Sequence, residues 1–165
     1  MQQRGFTLLE MLVVVVIIGI LATFVTLSIG NRALDDRMEV EARRLTEILK
    51  LAKEEAEFKG QAIGFSITPE GYQFMTRDAV GNWQPYQESG PLRPRVLAEP
   101  FYADLLLEGR HVAAEKKNKP QVLFLSSGEA TEFTVSIKAP NVAPHYRIDM
   151  DIMGKLTLKR VDLAS

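Results

Sequence analysis

The chain begins with a long apolar run. Residues 6–29 carry a single charged residue, Glu10. About 24 residues at about 1.5 Å each extend about 36 Å as a helix, which is enough to span a bilayer with some tilt. A secretory signal peptide fits less well, because its apolar core is shorter and ends at a small-residue cleavage site. A buried core helix fits less well too, since it would need a much larger domain around it. The pattern therefore predicts a membrane helix.

Glu10 is the exception within this run. A carboxylate in hydrocarbon costs about 2.5 to 3.5 kcal/mol on insertion scales. An acid inside a membrane segment is therefore a candidate functional residue with a partner to be found. The alternative is that Glu10, only a turn from the start of the segment, reaches the interface.

The next stretch, residues 31–60, is half charged and has a helical period. Glu39–Arg43 and Glu55–Lys59 are i,i+4 pairs of favourable order, and Gly60 stands where a helix C-cap is expected. The seven basic and eight acidic residues intersperse along the stretch and predict a solvated helix face rather than a binding tract. The apolar positions recur every three or four residues and predict one buried stripe: Leu34, Met38, Ala42, Leu45, Leu49, Ala52 and Ala56.

Residues 61–165 have the alternation and turn signals of strands. Pro69, Glu70 and Gly71 predict a hairpin turn, and Gly128 and Gly154 predict further tight turns. Residues 79–120 have no clean period and predict long loops with short strands near 83–86 and 101–107. Trp83 and Tyr86 are interpreted either as partner contacts or as core-filling side chains. The predicted longer strands cover residues 62–68, 72–76, 122–125, 131–137, 146–152 and 155–161.

Composition narrows the possible chemistry. The 165 residues include no Cys and have a formal net charge of −1, which removes disulfides and thiolate chemistry and gives no general attraction to nucleic acid. His111 and His145 have no second metal-type ligand at a suitable spacing. Asp149 and Asp151 would share one strand face, where exposure explains them better than an acid pair does. We therefore expect no enzyme activity, no cofactor and no metal.

The N-terminus resembles the class III signal of type IV pilins and type II secretion pseudopilins. Residues 1–5 (MQQRG) match its short basic leader ending in Gly, and residues 6–14 (FTLLEMLVV) match its Phe start and its Glu at the fifth mature position. The resemblance implies cleavage by the prepilin peptidase between Gly5 and Phe6, methylation of the Phe6 amine, and assembly into a filament. Arg4 agrees with a cytoplasmic N-terminus. We favour pairing of Glu10 with the amine of a neighbouring subunit over pairing with its own helix start.

A second resemblance lies near the C-terminus. Residues 124–128 (FLSSG) followed by 133–137 (FTVSI) look like the strand, turn and strand signature of the GspH/FimT family, although Ser127 stands where a Pro is common. The type II secretion branch fits better than the type IV pilus branch, whose members tend to bind DNA through a basic tail. Here Lys155, Lys159 and Arg160 fall within a predicted strand. A FimT-like type IV minor pilin, with DNA binding, is the alternative.

Together these patterns predict an α+β, pilin-like protein with a long N-terminal helix packed on an antiparallel, β-rich head. The expected parts are a leader (1–5), a membrane and filament-core helix (6–29), its amphipathic continuation (30–60) and a periplasmic head (61–165). The resemblance implies a minor pseudopilin in the bacterial inner membrane, crossing once and assembling near the pseudopilus tip. Its implied partners are the prepilin peptidase, other minor pseudopilins, the major pseudopilin, the assembly platform and lipid, and no nucleic acid is expected.

Overall fold

The computed structural model describes residues 8–86, 89–114, 119–142 and 145–162, except for the side chains of residues 22–31. Within these ranges one helix, α1 (Leu8–Lys59), precedes the strands. The chain divides into two compact units, Met1–Asp36 and Arg37–Ser165. The strands are β1 (Ile63–Thr68), β2 (Gly71–Arg77), β3 (Trp83–Pro85), β4 (Arg95–Val96), β5 (Tyr102–Leu107), β6 (Arg110–Val112), β7 (Val122–Phe124), β8 (Phe133–Lys138), β9 (His145–Met150) and β10 (Leu156–Val161).

The described part of the first unit is the start of α1. Between Leu8 and Leu21 its large apolar residues are all exposed, from 85% at Leu8 down to 40% at Val14. No helix within the described residues meets the length and hydropathy that a membrane crossing requires. The predicted cleavage site at Gly5 and Phe6 lies outside the described residues.

In the second unit, α1 buries the predicted stripe. Met38, Leu45 and Leu49 are fully buried, as are the three alanines of the stripe within this unit. Leu34 belongs to the first unit and is half-buried. Gly60 ends the helix with φ +64°, a conformation that favours glycine, and its N–H donates to the Glu57 carbonyl. The stripe within this unit and the helix end are therefore confirmed.

The strands form two antiparallel sheets. The first has the order β3-β2-β1-β7, with β4 also paired to β2, and the second has the order β10-β9-β8-β5-β6. The predicted hairpin is confirmed, since Thr68 pairs with Gly71 across a two-residue loop. Phe65 of the first sheet stacks on Phe133 of the second with 6.1 Å between ring centroids, which places an aromatic core between the sheets. The α+β class with an antiparallel, β-rich head is confirmed.

Strand β1 differs from its predicted alternation, because both of its faces are buried. The segment before β7 covers the face that alternation would leave exposed. The Ser66 hydroxyl donates to the Lys119 carbonyl at 3.2 Å, and the Ile67 N–H donates to the Gln121 side chain at 2.8 Å. A Cβ at position 64 would overlap Pro120, so Gly64 permits this close cover. The segment that buries this face lies more than fifty residues further along the chain, so no local sequence pattern predicts the burial.

Two further details differ from the sequence prediction. The short strands predicted near 83–86 and 101–107 are present as β3 and β5, but β4 and β6 in the same region were not predicted. Strand β9 ends at Met150, so Asp151 lies in the following turn, where its carboxylate accepts the N–H groups of Met153 and Lys155 at 2.9 Å. The interpretation of Asp149 and Asp151 as neighbours on one strand face is therefore wrong.

Candidate functional site

The candidate assembly residue Glu10 lies in the first turn of α1. Its side chain is exposed, and the large apolar side chains around it, including Leu9, Met11 and Val14, are exposed as well. Burying one such side chain is worth about 1.5 to 3 kcal/mol, so a surface of this kind gains much free energy when lipid or protein covers it. A carboxylate near a helix start is favoured by the dipole and by the N–H groups there. The arrangement suits a segment that is covered by something outside this chain.

A polar network fixes the other end of α1 to the head. Lys59 pairs with Glu55 at 2.6 Å and donates to the Tyr86 hydroxyl at 2.9 Å, and that hydroxyl donates to Glu55 at 3.0 Å. The hydrogen bonds from Lys59 and then from Tyr86 lower the pKa of Glu55. The hydrogen bonds of Lys59 to Glu55 and then to Tyr86 raise the pKa of Lys59. Tyr86, which the sequence left open as a partner contact or core residue, thus binds its own helix.

Trp83 also contacts its own chain. The Arg77 guanidinium lies 4.9 Å from the centroid of the Trp83 ring, in a cation–π arrangement on the first sheet. Trp83 is half-buried, and the sheet around it includes Gly64, where a Cβ would meet the indole at 3.3 Å. The Trp83 side chain therefore packs against β1 and β2.

Two aspartates of the second sheet, Asp104 and Asp149, form ion pairs with basic side chains. Asp104 accepts hydrogen bonds from Lys138 at 2.6 Å and from the His111 ring at 2.9 Å. Burial alone would raise the pKa of Asp104, but these two donors outweigh it and lower that pKa. His145 is different, because burial lowers its pKa and the charges of Lys138 and Arg147 lower it further.

Asp149 is engaged in the same way. It accepts from Thr134 at 2.8 Å and from Arg147 at 2.6 Å, and Lys159 lies 3.8 Å from its second oxygen. Its pKa is lowered, because these donors and charges outweigh the effect of burial. Among the described residues no three His, Asp or Glu side chains group in a way that could hold a metal ion. Asp104, Asp149 and the His111 ring take part in ion pairs and hydrogen bonds, most of which join neighbouring strands.

Comparison with known proteins decides the family. The model of the family described as "Type II transport protein GspH" matches residues 41–154, and the prokaryotic N-terminal methylation motif matches residues 1–26. The chain belongs to the GspH family. Type II secretion system protein H of Aeromonas hydrophila is 32% identical over 95% of this chain and 93% of its own length. The same protein of Pseudomonas aeruginosa is 32% identical over 81% of this chain and 82% of its own length.

Solved structures agree. The crystal structure of the minor pseudopilin EpsH from the type II secretion system of Vibrio cholerae superposes with a TM-score of 0.65, at 26% identity, over 76% of this chain and 97% of its own. The type IV minor pilin FimU of Pseudomonas aeruginosa, at 18% identity and a TM-score of 0.52, shares the fold. This chain is therefore a pilin-like minor pseudopilin of type II secretion. The GspH family to which it belongs is a family of structural pseudopilins. The type IV minor pilin supports only a shared fold, whereas the type II secretion proteins match in sequence along most of the chain.

The structure also identifies contacts that the sequence did not. Tyr86 contacts Lys59 and Glu55, which lie 27 and 31 positions earlier in the chain. No local sequence pattern indicates these partners of Tyr86. Glu55 and Lys59 were predicted to pair with each other, and that pair is confirmed at 2.6 Å. The i,i+4 spacing of Glu55 and Lys59 thus predicted their ion pair, whereas nothing in the sequence predicted that Tyr86 completes the network.

Proposed function

We propose that the chain is made as a prepilin, is cut between Gly5 and Phe6 by the prepilin peptidase, and is methylated on the new Phe6 amine. The match of the N-terminal methylation motif over residues 1–26 carries this proposal. The mature chain would cross the inner membrane once through residues 6–29, with its N-terminus in the cytoplasm and residues 61–165 in the periplasm. Residues 30–60 would continue the helix.

In the filament, the exposed apolar start of α1 would pack among the corresponding helices of other subunits. Glu10 would pair with the Phe6 amine of a neighbour, because two opposite charges attract strongly in a medium of low dielectric constant. The neighbours would be the other minor pseudopilins at the tip and the major pseudopilin, with the inner-membrane platform driving assembly. The exposure of Leu8, Leu9 and Met11 around Glu10 supports this role.

Intact mass of the membrane-extracted protein tests processing. We expect a chain that starts at Phe6 and carries one added methyl group. Gly5→Leu should leave the leader attached, because a side chain would intrude where the peptidase needs bare backbone. A chain that still starts at Met1 while the peptidase processes other prepilins would contradict the proposal.

Crosslinking tests Glu10. The chain contains no Cys, so a single Phe58→Cys on the exposed side of α1 reports contacts without a competing thiol. Glu10→Ala and Glu10→Gln should insert and be cleaved normally but crosslink less to other pseudopilins, whereas Glu10→Asp should recover part of the loss. Glu47→Ala, at an exposed acid on the same helix, is the matched control. Undiminished crosslinking in Glu10→Gln would restrict the carboxylate to a local role at the helix start.

A further inference from the structure

Two adjoining clefts lie along the outer edge of the first sheet. A cavity of about 220 Å³ is lined by Glu41 and Arg44 of α1, by Arg93 just before β4, and by Arg95 of β4. A larger cleft of about 470 Å³ continues from it past Thr68 and Gln73. Tyr72, Pro94, Arg95 and Val96 line both. The smaller cavity therefore brings three guanidinium groups and one carboxylate together.

The local sequence builds this edge. Gly71 pairs with Val96, and Tyr72 pairs with Arg95, so the phenol and the guanidinium arise from directly opposed residues. A side chain at position 71 would overlap the Arg95 carbonyl, and only glycine allows β4 to approach so closely. Leu92 and Leu97 are buried on either side of the two arginines, and the Leu97 N–H donates to the Glu70 carbonyl at 2.9 Å. The segment is thus held in place.

Two buried polar atoms of this site have no hydrogen-bond partner. Tyr72 is only 2% exposed, and its hydroxyl is unpartnered, as is the Nε of Arg95. Burial raises the pKa of Tyr72 to about 12, so at neutral pH the phenol keeps its proton and can donate it in a hydrogen bond. A buried donor without a partner is costly, and such atoms in native proteins call for an explanation. Here both atoms belong to residues that line the same cavity.

The charges indicate what would satisfy these donors. Arg44 is already engaged, since it donates to both oxygens of Glu41 at 2.8 and 3.1 Å. Arg93 and Arg95 add positive charge that Glu41 does not neutralise, and a guanidinium fork matches the two oxygens of a carboxylate. Glu41 would repel a dianion such as phosphate more strongly than a monoanion. Glu70 in the larger cleft would similarly disfavour a second acidic residue.

We propose that the cleft around Tyr72 and Arg95 binds a single carboxylate side chain of an extended peptide segment from a partner protein. The carboxylate would enter the smaller cavity, accept from the Tyr72 hydroxyl and Arg95 Nε, and lie beside Arg93. The residues on either side of it would occupy the larger cleft between Gln73 and Val96. That the partner is another pseudopilin rests on the proposed function, whereas carboxylate binding by the cleft does not.

The test uses the full chain in detergent micelles, labelled with ¹⁵N, with the arginine Nε–H signals followed by NMR. The probes are acetyl-Gly-Glu-Gly-amide, the same peptide with Gln in place of Glu, and inorganic phosphate. We expect the Glu peptide to shift the Arg95 signal saturably and the Gln peptide to bind about tenfold more weakly or less, because it lacks a charge-assisted hydrogen bond. Phosphate should also bind more weakly than the Glu peptide.

Variants assign the binding to this site. Arg95→Gln should weaken the Glu peptide about tenfold, and Tyr72→Phe should weaken it severalfold. Arg110→Gln, at an exposed arginine of the second sheet, and Tyr102→Phe, at a tyrosine that is 45% exposed, are the matched controls and should leave binding unchanged. Backbone amide spectra establish that each variant is folded.

Three results would overturn the proposal. Equal binding of the Glu and Gln peptides would exclude recognition of a carboxylate, and tighter binding of phosphate would make the cleft a general anion site. No shift of the Arg95 signal would mean that water alone serves the buried donors. If peptide binding is found while Glu10→Gln assembles normally, the cleft stands and the proposed pairing of Glu10 fails. If the Glu peptide does not bind while Glu10→Gln assembles less, the cleft proposal fails and the proposed pairing of Glu10 stands.

Discussion

Replacing Leu45 tests whether the helix stripe is the part of α1 that holds the head together. Leu45 is fully buried in the middle of the stripe, with Ala42 and Leu49 on the same face also fully buried. Leu45→Ala should lower the free energy of unfolding by about 2 to 5 kcal/mol, the range for a buried leucine that leaves a cavity. Leu45→Asp should cost more, because an unpaired carboxylate on that face has no compensation. A loss of this size is a large part of the stability of a domain.

The matched control is Glu47→Ala, two residues further along the same helix. Glu47 is exposed and pairs with Lys50 at 2.6 Å, with 69% of its side chain accessible. An exposed pair of this kind contributes little, so the free energy of unfolding should change by no more than about 0.5 kcal/mol. Alanine also favours the helix slightly, which offsets part of the loss.

Urea unfolding of a shortened chain containing residues 31–165, followed by far-UV circular dichroism, measures both variants. The shortened chain lacks the exposed apolar start of α1 and should be a soluble monomer that keeps its β content. We expect a lower midpoint with an unchanged m-value for Leu45→Ala and an unchanged midpoint for Glu47→Ala. Equal losses at the two positions would refute the assignment of the buried face.

Two further outcomes follow from the ionisable groups. Tyr86→Phe should raise the pKa of Glu55 toward its ordinary value in an NMR titration, because the carboxylate loses one of its two donors while Lys59 remains; an unmoved pKa would show that the phenol contact is absent in solution. Because His145 has a lowered pKa in the folded state, the unfolded chain binds its proton more readily, and stability should fall as the pH drops below about 6.5. His145→Gln should remove that first loss in pH-dependent urea unfolding, while the loss below about pH 4 from Asp104 and Asp149 persists; an identical profile in the variant would contradict this.

Helical spacing was enough to identify the buried face of α1 in the head. An α-helix has 3.6 residues per turn, so the spacing of the apolar residues from Met38 to Ala56 places them on one face, whatever that face packs against. The longer strands were found for the same reason, since alternation marks the buried face of β9, where Tyr146, Ile148 and Met150 are buried. Their ends were less accurate: β8 begins at Phe133 and β9 ends at Met150, in each case within two residues of the prediction.

The features that the sequence did not reveal depend on partners distant in the chain. Strands β4 and β6 have two and three residues, which is too few to show a period. They form because the edges of β2 and β5 supply their hydrogen-bond partners. The arginine-lined cavity needs Glu41, Tyr72 and Arg95 from three separate elements. Arg93 and Arg95 lie in a proline-containing segment that predicts only a loop, so their shared site becomes visible only when β4 is placed against β2.

The apolar residues of α1 differ in burial between its start and the part that packs on the head, so substitutions in the two parts test different properties. Between Leu8 and Leu21 the large apolar side chains are exposed, whereas from Met38 to Ala56 the stripe is fully or almost fully buried within the second unit. Substitutions in the stripe therefore act on the stability of the folded head, because the contacts they remove lie within the chain. Substitutions of the exposed apolar side chains around Glu10 remove little buried surface within the described residues, so we expect their main effect on contacts with lipid or with other subunits. A variant at Glu10 with an unchanged unfolding midpoint and reduced crosslinking thus reports on assembly itself, which a stripe variant such as Leu45→Asp cannot do.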